Sequence, residues 1–186
     1  MQQTWVDLTP PKVELLKIFI PSGSFSAEKL SSMDYYTDPQ AITERITTTS
    51  ASNVVYELNI DKKKWYYVLH NIAKGSRDWL IIATALRAGT DAGTSCELKD
   101  TINSALIKAP ENVLIITLQT FKIWEICGRS DPLPTFEKAI EDLENQISAV
   151  HSVENPQLLK RCNACLKELV NTRFHLYRFF EIEEHQ

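Results

Sequence analysis

The fold is decided by residues 64–114, which read KWYYVLHNIAKGSRDWLIIATALRAGTDAGTSCELKDTINSALIKAPENVL. This stretch predicts four α-helices separated by short turns, because apolar residues repeat with a period of about 3.6 between start and stop signals. The first helix carries the apolar stripe Trp65, Val68, Leu69 and Ile72. It ends at Gly75, a residue type that commonly follows the last turn of a helix.

The next helices of the stretch also have local boundary signals. Ser76 is placed to cap the second helix, and Asp78 lies in its first turn, where a negative charge is favoured. Gly89 ends that helix, and Pro110 begins the fourth one. Helices of this length joined by short turns pack as antiparallel neighbours. We therefore predict an all-α fold, a compact array of antiparallel helical hairpins.

The GTDAG segment at residues 89–93 admits two interpretations. Two glycines beside an aspartate, just before a helix, could present backbone N–H groups to an anion. The segment matches neither the phosphate-loop nor the dinucleotide pattern, and no lysine follows where a phosphate would need one. We therefore favour capping: Asp91 or Thr94 caps the third helix, and Glu97 stands at capping-box spacing from Thr94.

The N-terminal third of the chain has weaker signals. Residues 13–20 are apolar enough for a strand or a short helix, but prolines bracket them. Asp38 followed by Pro39 predicts the start of a short helix. Residues 53–59 are compatible with a helix or a strand, and we predict a helix.

The C-terminal part reads as two more helices. Thr135 caps a long one, and Asn155-Pro156 precedes the last. The aromatic and acidic tail either continues that helix or packs back on the domain. We divide the chain into an irregular N-terminal segment at 1–60 and a helical core at 61–186, together one structural domain.

Composition argues against two classes of protein. The chain has 186 residues, of which 44% are hydrophobic and 24% charged, as expected for one globular domain. Its net charge is −4 and its only basic run is Lys62–Lys64, so we do not expect a nucleic-acid partner. No apolar run approaches the ~18 residues of a membrane span, and we predict no membrane insertion.

The first residues leave the compartment open. Gln2–Pro11 is polar and lacks the apolar core of a signal peptide. Either the protein stays in the cytoplasm, or the sequence is that of an exported protein without its leader. A polar, loop-like start suits a mature N-terminus.

Four cysteines, Cys96, Cys127, Cys162 and Cys165, bear on the same question. The CxxC at Cys162 has neither a second CxxC nor a nearby histidine, so no zinc site is predicted. It lies inside a predicted helix, unlike a thioredoxin-type pair. Either Cys162 and Cys165 both lie on the apolar face of that helix, or one of them bridges to Cys127. A bridge would indicate an oxidising compartment.

A longer pattern carries a family resemblance. Its positions are Trp79-Leu80, Leu86, Gly89–Gly93, Leu98, Ala105-Leu106, Pro110, Val113-Leu114, Cys127-Gly128 and Cys165-Leu166. In this order they resemble a family of small helical proteins of Gram-negative bacteria, largely uncharacterised and commonly exported. The resemblance covers residues 64–170. It implies an exported all-α protein, compatible with an immunity-type role, in which Cys127 and Cys165 are paired. It implies no catalytic residues.

Candidate partner-binding residues lie in or beside the predicted turns. They are Arg77, Asp78, Arg87, Asp91 and Arg129. Arginine is a frequent anchor residue of protein interfaces. The simpler explanation is that Arg77 pairs with Asp78 and Arg87 with Asp91 at the surface, where ion pairs contribute little.

An enzyme is the weaker interpretation. The carboxylates Asp78, Glu97, Asp100 and Glu125 could act together if two of them met in a cleft. Each is equally explained by a helix end or by solvation, and no motif assigns a nucleophile, a base and a stabilising group together. We therefore predict no enzymatic activity, no cofactor and no metal.

The leading hypothesis is a non-enzymatic protein-binding module. In its sharper form it is an immunity protein of a Gram-negative bacterium that occludes the active site of a toxic effector, because such inhibitors act through shape and charge and leave no short motif. The alternative is a structural or assembly factor of the envelope, and the third is a small hydrolase. The expected compartment is the periplasm if a leader has been removed, and otherwise the cytoplasm.

Overall fold

The predicted all-α fold is confirmed. The computed structural model describes residues 35–128 and 135–183, which contain nine packed α-helices and no β-strand. The helices are α1 (Pro39–Thr48), α2 (Ala51–Ile60), α3 (Lys62–Ile72), α4 (Arg77–Leu86), α5 (Ala92–Lys108), α6 (Pro110–Ile116), α7 (Ile123–Cys127), α8 (Phe136–His151) and α9 (Leu159–Glu183). Residues 13–20, for which strand and helix were both open, lie outside the described ranges.

Helix starts follow the capping chemistry that the sequence predicts. At five of the nine described helices, the residue before the helix accepts a backbone N–H with its side chain; these are Asp38, Ser50, Asp61, Asp91 and Thr135. Each satisfies one of the donors that a helix start leaves unpaired. Ser76 precedes α4 as predicted, but its side chain makes no capping bond.

The long last helix resolves one open alternative. The tail continues α9 to Glu183. The ring of Phe136 lies 5.2 Å from that of Tyr177, and Glu144 Oε1 lies 2.6 Å from Arg173 Nη1. Because the start of α8 meets the later part of α9, the two helices form an antiparallel hairpin.

The core is centred on Trp65, which is fully buried in α3. Its indole N–H donates to Glu97 Oε2 of α5, so the one polar atom of the side chain is satisfied. Our capping-box assignment of Glu97 was therefore wrong. The box is formed instead by Asp91 and Thr94, each bonding the other's backbone N–H. The buried indole outcompetes the exposed helix start for the Glu97 carboxylate, because a buried donor without a partner costs more.

Gly89 is required by a close approach between two helices. It ends the 3₁₀ turn Arg87–Gly89, and this turn lies against the start of α2. A Cβ atom at Gly89 would lie 2.2 Å from the carbonyl carbon of Ala51. The neighbour is backbone and cannot move aside like a flexible side chain. The role of Gly89 is thus close packing in addition to ending a helix.

A three-residue polar cluster links α1 to α2. Arg45 donates to both carboxylate oxygens of Glu57, at 3.2 and 2.7 Å, and Tyr35 Oη donates to Glu57 Oε2 at 3.1 Å. The Arg45 hydrogen bond is the main reason that the pKa of Glu57 lies below its ordinary value. Burial, with the neighbouring Glu57, raises the pKa of Tyr35.

Cys127 and Cys165 lie at disulfide distance, with their Sγ atoms 2.10 Å apart. This is the pair that the family resemblance implies, and it connects the end of α7 to α9. Cys162 lies buried on the same helix and Cys96 is exposed. Within the described ranges, no helix is long and apolar enough to cross a membrane.

We expect Gly89→Ala to lower the free energy of unfolding by about 1–3 kcal/mol, because the new methyl group cannot fit against the Ala51 backbone. Gly93→Ala is the matched control. Its Cβ would meet only Asp91 Oδ1 at 3.8 Å, and alanine is the better helix former. Urea denaturation of both variants checks this, and equal midpoints would contradict it.

We expect Glu57→Gln to destabilise the protein at neutral pH by about 0.5–1 kcal/mol, a value limited by the partial exposure of the pair. Since the folded pKa of Glu57 lies below the unfolded one, its contribution is present above the unfolded pKa of about 4.3 and disappears as the pH falls through the folded pKa. The difference between wild type and variant should therefore shrink on acidification. The exposed Glu141→Gln serves as control, and a constant difference for Glu57→Gln would refute the assignment.

Candidate protein-interaction site

The outer side of α3 presents an unusual group of exposed side chains. We call it the α3 face; its members are Lys62, Lys63, Tyr66, Tyr67, His70 and Lys74. Tyr66 is 54% exposed and Tyr67 41%, and the two lie next to each other in the chain. The opposite side of the helix is buried in the core through Trp65, Val68, Leu69 and Ile72. The face is thus held by a helix whose position is fixed.

Aromatic contacts extend the α3 face in two directions. The Tyr67 ring lies 5.5 Å from Tyr36 and 6.4 Å from Trp79, both in edge-to-face arrangements. Trp79 belongs to α4 and is partly buried against the core. Directly before it in the chain come Arg77 and Asp78, both exposed. Two of the predicted partner-binding residues thus lie exposed in the first turn of the helix that carries Trp79.

The lysines of the α3 face are not neutralised. Lys62 Nζ donates to Asn59 Oδ1 and lies 6.0 Å from the Tyr66 ring, and Lys74 Nζ donates to Asn71 Oδ1. Within the described part of the chain, neither of these lysines nor Lys63 has a carboxylate within ion-pair distance. Amides leave the positive charges in place. Among the described residues, no carboxylate competes for these charges with a negative group from outside.

Arg87 has a different environment from Arg77. Its guanidinium donates to Glu125 Oε1 at 3.1 Å and to Ser95 Oγ at 2.7 Å, and lies over the Phe121 ring. Glu125 is only 9% exposed. The interpretation that Arg87 pairs with Asp91 was wrong, because this buried carboxylate needs the cation more than the exposed one does. Arg87 holds the turn after α4 to α7.

Within the GTDAG segment and the residue that follows it, the Asp91 carboxylate accepts hydrogen bonds from Thr94. Asp91 Oδ1 accepts the N–H of Thr94 at 2.8 Å and its hydroxyl at 2.6 Å. These bonds, the hydroxyl first, lower the pKa of Asp91. The carboxylate thus occupies the position that an external anion would take at this helix start. The geometry favours the capping interpretation.

The other predicted residues are not brought into one site. Glu97 accepts from the Trp65 indole and Glu125 pairs with Arg87, so each carboxylate has its own partner. The described residues include no group of three or more His, Cys, Asp or Glu that could hold a metal ion. Arg129 lies outside the described ranges, so its candidacy stays a prediction.

Sequence reasoning did not single out Tyr66 and Tyr67. Both fall between the apolar positions of α3, where a helical wheel places exposed residues. Two adjacent aromatics off the apolar stripe, directly after a basic run, are the signal that could have identified them. The burial of Trp65 and the exposure of its two neighbours follow from the same periodicity.

We expect Arg87→Met to destabilise the protein by roughly 2 to 4 kcal/mol, because it leaves the buried Glu125 carboxylate without a cation. The double variant Arg87→Met/Glu125→Gln should recover part of that loss, since the unpaired charge is gone. Arg77→Ala, at the exposed start of α4, should change stability by less than about 0.5 kcal/mol. Thermal unfolding of the three variants tests the scheme; equal losses for Arg77→Ala and Arg87→Met would refute it.

The comparisons with known proteins leave the site to be judged on its own geometry. No protein-family model, no curated protein and no solved structure matches this chain.

Proposed function

We propose that this protein is a non-enzymatic protein-binding module that acts as an immunity protein, neutralising a toxic bacterial effector by covering its active site. The observation that carries the proposal is the α3 face, where two exposed tyrosines and exposed lysines are presented by a helix fixed in the core.

A tightly binding inhibitor needs contact residues whose positions are already fixed before the partner binds. Association costs free energy for every side chain and segment that becomes ordered on binding. The backbone of α3 is already ordered by the burial of Trp65 and Ile72, both fully buried. Tyrosine adds large contact area with few rotatable bonds. Binding through the α3 face would therefore order little beyond the lysine side chains.

The composition of the surface supports a protein partner. Tyrosine, tryptophan and arginine are the residues most often found among the dominant contacts of protein interfaces. Here Tyr66 and Tyr67 are exposed, Trp79 is half-buried beside Tyr67, and Arg77 is exposed in the first turn of the helix that carries Trp79. Such a group, central in a contact area, can be surrounded by polar residues that exclude water.

We place the protein in the periplasm. The support is the Cys127–Cys165 pair at disulfide distance, because disulfides persist in oxidising compartments and are rare in the bacterial cytoplasm. The resemblance to a family of exported helical proteins of Gram-negative bacteria points the same way. The periplasmic location is thus part of the same proposal as the immunity function.

The test uses the purified protein and purified effectors encoded beside its gene. We expect one effector to lose its activity when the protein is added in equimolar amount, and to bind with a measurable Kd. Tyr66→Ala should weaken binding by at least about tenfold, the effect of losing one dominant contact. The thermal stability should stay unchanged, since the Tyr66 side chain is exposed and lies beside the exposed Lys62.

Phe174→Ala is the matched control, because Phe174 is 57% exposed and lies on α9. Its affinity should equal that of the wild type. Loss of binding in Phe174→Ala with full binding in Tyr66→Ala would place the interface elsewhere. Retention of full activity by every neighbouring effector would refute the immunity function.

A further inference from the structure

Charge is distributed unevenly over the described helices. Residues 61–78 hold five cationic side chains and two carboxylates, in a chain whose net charge is −4. Helix α8 shows the opposite balance, with four carboxylates and one lysine. One carboxylate of the first segment, Asp61, lies 3.8 Å from Lys64 Nζ. The other carboxylate, Asp78, directly follows Arg77, so the excess positive charge of the segment falls on the three lysines Lys62, Lys63 and Lys74.

We propose that the α3 face binds an acidic surface of the partner protein, with carboxylates of the partner taking the positions beside Lys62, Lys63 and Lys74. The inference rests on the proposed function in assuming that the partner is a protein. It adds the chemistry of that partner and the part of this chain that recognises it.

The three lysines lie at exposed positions that a carboxylate of another protein can reach. Lys62 and Lys63 lie in the first turn of α3 and are exposed, while Asp61 caps the backbone of that turn by accepting the N–H of Lys63. Lys74 follows the other end of the same helix, so the charges span its whole length. Between them, the hydroxyls of Tyr66 and Tyr67 can donate hydrogen bonds to carboxylates. A carboxylate-bearing surface can thus meet both charge and hydrogen-bond donors across one helix.

The energetic role of these cations lies mainly in the encounter. An exposed ion pair contributes only about 0–1 kcal/mol to affinity. Opposite charges on two surfaces nevertheless accelerate association and exclude partners of the same charge. The tyrosines then supply the contact area that keeps the complex together. Lysine suits this role, because its long stem reaches a carboxylate without requiring a fixed geometry.

An acidic protein fits better than nucleic acid. A duplex carries one charge per ~1.7 Å of its axis and would extend beyond the three lysines of the face. It would then meet the negative charge that the rest of the chain carries, since the net charge is −4 overall. A protein surface with a few carboxylates can match the length of α3 alone.

The experiment titrates the full chain, labelled with ¹⁵N, with poly-L-glutamate and maps the shifted amide signals. We expect the largest shifts at residues 62–74 and at the Trp79 indole. Raising the salt from about 20 to about 200 mM should weaken binding roughly tenfold or more, because exposed charges are then screened. Poly-L-lysine of equal length should leave the α3 face unshifted and move the signals of α8 instead.

Charge reversal gives the matched comparison. Lys62→Glu/Lys63→Glu should abolish the poly-L-glutamate shifts; it leaves the helix intact, since glutamate is favoured in the first turn. Lys160→Glu/Lys167→Glu reverses two exposed lysines at the start and along α9 and should change nothing. Far-ultraviolet circular dichroism verifies that both variants are folded.

Three outcomes would overturn the inference. These are shifts centred on another helix, equal effects of the two charge reversals, or a short DNA duplex that binds the α3 face more tightly than poly-L-glutamate. Failure of the proposed function is a separate result, because an uninhibited effector leaves the mapped poly-L-glutamate site unchanged. Conversely, the effector could be inhibited while poly-L-glutamate shifts no signals of the α3 face. That result would refute the present inference and leave the proposed function intact.

Discussion

The structure depends on the burial of one side chain, Trp65, and on its hydrogen bond to Glu97. Burying an indole of roughly 200 Å² contributes on the order of 5 kcal/mol, provided that its N–H finds an acceptor. Glu97 supplies that acceptor from α5, so α3 is tied to a second helix at its most buried point. The periodicity that directs Trp65 inward leaves Tyr66 and Tyr67 outward. The interaction that fixes the core thereby also fixes the surface.

The sequence predicted features that depend on near neighbours. The period of α3, the caps Asp91 and Thr135 and the end of a helix at Gly75 all involve residues within about four positions, where the geometry of a helix alone decides. Glu97 was assigned wrongly for the same reason. A local partner at capping-box spacing was visible in the sequence, while its actual donor is 32 positions away. Such contacts exist only once the helices have packed.

Arg77 and Arg87 show how the same limit applies to a site. In the sequence the two arginines have the same surroundings, since each stands beside a predicted turn and near an aspartate. In the structure Arg87 turns inward to a carboxylate 38 positions away, and Arg77 stays at the surface. The basic run Lys62–Lys64 that begins α3 was evident in the sequence, but which carboxylates of the other described helices come near it depends on how those helices pack. That part of the candidate site could not be predicted.

The Cys127–Cys165 connection has a consequence for how the protein opens. The two residues are 38 positions apart, so the connection closes a loop that contains the whole of α8. Closing a loop of this length in the unfolded chain is worth about 4 kcal/mol in the chain-entropy model. A local unfolding event that lifts the α8–α9 hairpin away from α7 therefore remains tethered through Cys165. Under reducing conditions that covalent link is absent, and the hairpin is held to the core by noncovalent contacts alone, among them the hydrogen bonds of Gln146 to Asn103 and of Arg161 to the Leu114 carbonyl.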